Sequence, residues 1–128
     1  MHNIQVDAVN QTADFVLEDD HEVEIIIRGV SVLIKNQELK TTRKSRHDII
    51  PEQEIDKLER YKKLPEIIKV GPVRMNVKQM FDLENAINEG ISNYEKEVTD
   101  DPNNETLIEA KSFKSLLHNI LRSEVLHR

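Results

Sequence analysis

Residues 22–35 read EVEIIIRGVSVLIK, and the way this stretch folds decides the architecture of the chain. Val23, Ile25 and Ile27 stand at alternate positions, as do Val30, Val32 and Ile34, which is the period of a strand with one buried face. The parity flips at Gly29. A two-residue Arg28-Gly29 loop accounts for the flip by setting Ile27 opposite Val30, Ile25 opposite Val32 and Val23 opposite Ile34. A single long strand bent at a Gly29 bulge flips parity equally well. The hairpin is the reading adopted.

Upstream the same arithmetic recurs. Ile4, Val6 and Ala8 alternate, then Ala13, Phe15 and Leu17, and an Asn10-Gln11 loop would pair Ala8 with Ala13, Val6 with Phe15 and Ile4 with Leu17. With Asp19, Asp20 and His21 as a polar connection, residues 1–36 form a four-stranded antiparallel meander. Downstream, residues 37–50 have no hydrophobic period and contain TTRKSRH, so they are expected to be a basic loop. Pro51 opens a short helix with Glu52 and Glu54 at its positive end and a stripe of Ile55, Leu58 and Tyr61, and Pro65 closes it. Residues 66–70 and 73–77, split by Gly71-Pro72, make a short ribbon or the ends of two strands.

The last fifty residues carry the helical period. Val77, Met80, Phe81, Ile87, Ile91, Tyr94 and Val98 recur at helical spacing behind an expected N-cap residue, Asn76. After the break at residues 100–104, Leu107, Ala110, Phe113, Leu117, Ile120 and Leu121 form a second stripe. The two make an αα-hairpin, and Ile108, Leu116 and Val125 widen its apolar surface beyond what one partner helix needs. The expectation is therefore one α+β domain over residues 1–128: a meander, a basic loop, a short helix with its ribbon, and an antiparallel helical hairpin over residues 79–128.

Charge is sorted along the chain. The net is −6 over residues 1–34, +5 over 35–78 and −5 over 79–128. A protein acidic overall but basic in its middle can hold an anion, or an acidic patch of another copy, at a defined place. Lys40, Arg43, Lys44, Arg46 and His47 are the expected gripping set, with Arg60 adding charge and Tyr61 a stacking surface. The pI near 5.4 and the scarcity of aromatic residues disfavour a nucleic-acid polymer. An acidic protein surface or a small phosphorylated, nucleotide-like ligand fits better. Surplus apolar surface on the hairpin, at Phe113, Leu116, Leu117, Ile120 and Leu121, is expected to mediate self-association into a homo-oligomer.

Other chemistries find little support. With no cysteine there is no disulfide framework or thiolate site. Gly29, Gly71 and Gly90 are isolated, so no phosphate-cradling loop is formed, and no serine sits in a nucleophile-elbow setting. The cluster Asp19-Asp20-His21-Glu22-Val23-Glu24 offers metal ligands but matches neither a calcium loop nor a zinc-protease motif. It is best read as a solvated turn, with a metal-dependent hydrolase as the lesser alternative. The N-terminus lacks the features of a signal peptide and no apolar run spans a bilayer, so a cytoplasmic protein without membrane contact is expected. The reading is a non-enzymatic binding or regulatory protein with no cofactor. A ligand-sequestering accessory or counter-defence protein of a phage or plasmid would suit the same size and charge.

Overall fold

The computed structural model describes residues 3–42, 50–97 and 104–123. Its elements in chain order are β1 (Gln5–Asp7), β2 (Thr12–Leu17), α1 (Asp20–Thr41), α2 (Glu52–Ile67), β3 (Gly71–Asn76), α3 (Val77–Glu97) and α4 (Glu105–Leu121). The fold is α+β, with one antiparallel sheet of order β1-β2-β3.

The four-stranded meander is therefore corrected to three strands, because residues 22–35 are helical. Asp19 caps α1 by accepting the backbone N–H of His21 at 2.8 Å, Asp20 and Glu22 favour the positive end of the dipole, and Arg28 pairs with Glu24 one turn away at 3.2 Å. Its buried positions Glu22, Ile25, Ile26, Gly29, Val30 and Gln37 fall at helical spacing. The alternation arises because Val23, Ile27, Leu33 and Ile34 are also partly buried, so the helix is apolar around much of its circumference. It packs most heavily on α3 and also meets α2, α4 and β2. β-branched residues cost a few tenths of a kcal/mol each in a helix, whereas burying such a side chain stabilises by about 1.5–3 kcal/mol, so packing overrides propensity.

Gly29 is a contact point and not a turn. A Cβ there would lie 1.6 Å from the carbonyl oxygen of Ala86, and one on Gly90 would lie 2.0 Å from that of Ile25. The backbones of α1 and α3 touch at a crossing built from Ile25 and Gly29 on one helix, Ala86 and Gly90 on the other.

The first hairpin is present with a different register. Val6 pairs with Ala13 and Asp7 with Thr12, leaving residues 8–11 as the loop. The slip relative to the expected pairing is two residues, which preserves parity, so Ala13, Phe15 and Leu17 still face the core. The cause is Asp7, whose carboxylate accepts the backbone N–H groups of Val9 (3.0 Å) and Asn10 (3.1 Å) and the Asn10 amide (2.7 Å). The Asn10 bonds hold its carboxyl below the ordinary aspartate range. Gln11 closes the loop at φ 54°.

Pro65 lies inside α2, which continues to Ile67, so the expected ribbon reduces to β3. That strand pairs antiparallel with β2 from Thr12↔Asn76 to Leu17↔Gly71, and Gly71 takes φ 123° at its start. Asn76 then begins α3 through a capping box. Its Oδ1 accepts the Gln79 N–H at 2.8 Å while Gln79 Oε1 accepts the Asn76 N–H at 2.9 Å. Asn76→Ala is expected to lower stability by about 1 kcal/mol in urea denaturation, with Asn76→Asp retaining most of it. Asn104 caps α4 by accepting the Leu107 N–H at 3.0 Å.

The core lies between the inner sheet face and the helices. Phe15 of β2 meets Phe113 of α4 with ring centroids 5.2 Å apart and tilted by 58°.

Candidate functional site

The expected basic site begins at the end of α1. Lys40 is exposed in its last turn, while Arg43, Lys44, Arg46 and His47 lie outside the described residues. The helices on either side of that tract are tied together. Buried Gln37 donates its side-chain N–H groups to the Glu54 carbonyl at 2.8 Å and to Glu54 Oε2 at 2.7 Å, tying the last turns of α1 to the first of α2. The Glu38 carbonyl accepts the backbone N–H and hydroxyl of Thr42 at 3.0 and 2.7 Å, which ends α1 sharply.

At this end α1 presents a mixed surface. A groove of about 430 Å³ is lined by Ser31, Ile34, Lys35, Glu38, Leu39 and Thr42. Leu39 is 67% exposed, with Lys35 one turn before it and Lys40 beside it. Of the stripe expected on α2, Tyr61 is buried but Ile55 is 43% exposed, and Leu64 is the other buried residue of the helix.

Arg60 and Tyr61 do not join this surface. Arg60 Nε and Nη2 donate to Asp82 Oδ2 and Oδ1 at 3.0 and 3.3 Å, clamping α2 to α3. These bonds hold the guanidinium above its ordinary range, and Asp82 itself is buried. The Tyr61 ring is 3% exposed within the core, and burial pushes its phenol up. Neither an exposed ring face nor an uncommitted guanidinium is offered to a ligand there.

The residues expected to mediate self-association divide between two environments. Phe113, Leu117 and Leu121 are buried within the protomer, whereas Leu116 is 38% exposed and Ile120 partly buried. Ile108, at 52%, is the other large apolar residue α4 exposes among those described.

The acidic cluster at residues 19–24 is the start of α1. Asp19 is its cap, Glu22 is buried and Glu24 pairs with Arg28, so their side chains diverge around the helix. Among the described residues no three histidine, cysteine, aspartate or glutamate side chains converge as a metal site requires. Nor, among them, is any helix long and apolar enough to cross a membrane.

Sequence reasoning missed the seam between α3 and α4. Lys111, Lys114, His118 and Arg122 follow one another at helical spacing along α4. They reach Glu95 (3.4 Å), Asn88 (2.6 Å) and, for the last two, Glu84 (2.7 and 3.6 Å). The i, i+3, i+7, i+11 spacing of these bases was the available signal. Comparison with protein-family models, with curated proteins and with solved structures finds no match for this chain.

Proposed function

We propose that this is a non-enzymatic binding protein that engages an acidic protein partner through the end of α1 and the basic tract that follows it. The observation that carries the reading is Leu39, exposed at 67% on a short groove and bracketed by Lys35 and Lys40. An apolar anchor with Lys35 and Lys40 close by, and Glu38 as the single carboxylate of the groove lining, suits an acidic segment carrying one apolar side chain. Arg43, Lys44, Arg46 and His47 would add charge from the adjoining tract, which in sequence lies between the two helices that the Gln37–Glu54 bonds join.

A bare phosphate is served less well at this end. The α1 C-terminus is the negative pole of its dipole, and Glu52 and Glu54 already occupy the first turn of α2. Long lysine side chains can reach an acidic protein surface beyond those poles. The overall charge of −6 works against a nucleic-acid polymer.

The test is affinity capture from the native source with the wild type and with a Leu39→Glu/Lys40→Glu variant. Capture of one acidic protein that is lost with the variant and released by salt is the expected outcome. Equal capture by a folded variant overturns the assignment of this surface. Self-association is retained as a second element of the proposal, through exposed Ile108 and Leu116 and not through the buried members of the α4 stripe.

A further inference from the structure

The seam between α3 and α4 opens into a groove of about 630 Å³ lined by Asn88, Ser92 and Glu95 from one helix and Lys111, Lys114, Ser115, His118 and Asn119 from the other. Its size falls within the range of small-molecule sites, and Ile91, nearly buried, supplies an apolar floor. We infer that this groove binds a small phosphorylated compound, gripping its phosphate with Lys114 and its neighbours on α4.

Three observations carry the assignment. First, Lys114 Nζ donates to the neutral Asn88 amide oxygen at 2.6 Å and not to a carboxylate, so its charge is not cancelled where it stands. Second, positive charge outweighs negative here in a chain that is acidic overall. Lys111 and Lys114 line the groove against the single carboxylate of Glu95, and Arg122 and Glu84, outside the lining, pair with each other. Third, the groove supplies neutral hydrogen-bonding groups in the manner of a phosphate cradle, namely the Ser92 and Ser115 hydroxyls and the Asn119 amide. His118 contacts Glu84 through Nδ1, which leaves Nε2 available to a ligand oxygen.

A charge seam whose sole task is to fasten α4 to α3 is the competing account. It explains Lys111–Glu95 and His118–Glu84, but a fastening seam gains more from a carboxylate opposite Lys114 than from an amide. That difference makes the two accounts separable. Inorganic phosphate is titrated into ¹⁵N-labelled protein at constant ionic strength, and Lys114→Met and Asn88→Asp are compared with the wild type. Saturable shifts confined to the amides around Ser92, Lys114 and Ser115 are expected. Lys114→Met should weaken binding about tenfold or more. Asn88→Asp, which pairs the lysine internally, should abolish binding while leaving the melting temperature equal or higher. Lys63→Met, on the exposed surface of α2, should leave the titration unchanged. Shifts that never saturate, that spread over lysines elsewhere, or that survive Asn88→Asp overturn the inference.

Discussion

Gly29→Ala is expected to be among the most damaging single-methyl changes available in this protein, although alanine is the better helix former. On propensity alone the substitution should stabilise α1 by about 1 kcal/mol. The methyl group, however, would lie 1.6 Å from the Ala86 carbonyl oxygen, an atom of a helical backbone that cannot swing away as a side chain does. Relief requires α1 and α3 to separate along the most extensive helix contact in the fold. A net loss of about 3 kcal/mol or more is expected, a large share of the stability of a domain this size. Gly90→Ala, 2.0 Å from the Ile25 carbonyl oxygen, should behave alike. The double variant should cost less than the two added together, because helices parted for one methyl already have room for the other. Asn85→Ala, on the exposed side of α3, is the control and should hold or raise stability. Urea unfolding of the four variants beside the wild type checks the set, and a Gly29→Ala variant as stable as the wild type would refute the close crossing.

The same glycine explains why part of the fold was legible in the sequence and part was not. α3 and α4 bury one stripe each and begin at side-chain caps, so period and punctuation agree at Asn76, Met80, Ile87 and Ile91 and again at Asn104, Leu107 and Phe113. β2 was legible for the corresponding reason, with Ala13, Phe15 and Leu17 inward and Val16 outward. In α1 the signals conflict. A helix enclosed on several sides is apolar at many positions, so Val23, Ile25 and Ile27 show a period of two although Ile25 lies on the opposite side of α1 from the other two. Gly29 sits where a turn would need it and also where a close helix crossing needs it, and the distinguishing atom, the Ala86 carbonyl oxygen, is far away in sequence. The β2–β3 pairing was hidden for the same reason. Asp14 and Arg74, 60 residues apart, are joined at 2.7 Å, and no local pattern announces such a partner.

The candidate sites follow this division. The bases of the central tract are visible in composition, and so is the stripe of bases on α4. Which of them are already engaged is decided by tertiary structure alone. Arg60 looks like any other base of the middle block until Asp82 is found beneath it. Lys114 looks like an ordinary surface lysine until the residue opposite proves to be an amide. The exposure of Leu39 is equally invisible, because a leucine at the end of a largely apolar helix would ordinarily be counted in the core.

Two adjacent leucines of α4 give the second large effect and decide how this helix is used. Leu117 has no exposed surface and packs within the core, so Leu117→Asp buries a carboxylate among apolar side chains. A loss of about 4 kcal/mol or more is expected, enough to unfold a domain of ordinary stability. Leu116 is 38% exposed, and Leu116→Asp should change stability by no more than about 1 kcal/mol. Circular dichroism should therefore report an unfolded Leu117→Asp chain beside a folded Leu116→Asp chain with a nearly unchanged melting temperature. Sedimentation velocity then isolates the association. If copies meet through Ile108 and Leu116, the wild type sediments as an oligomer and Leu116→Asp as a folded monomer, because a charge at the contact opposes binding without touching the core. A folded Leu116→Asp that sediments with the wild type removes this face from any interface. A folded Leu117→Asp would contradict the packing of α4 itself. Since the two positions are adjacent and carry the same substitution, the contrast cannot be ascribed to helix propensity or net charge. It reports which side of α4 is spent on the protomer and whether the other side meets a second copy.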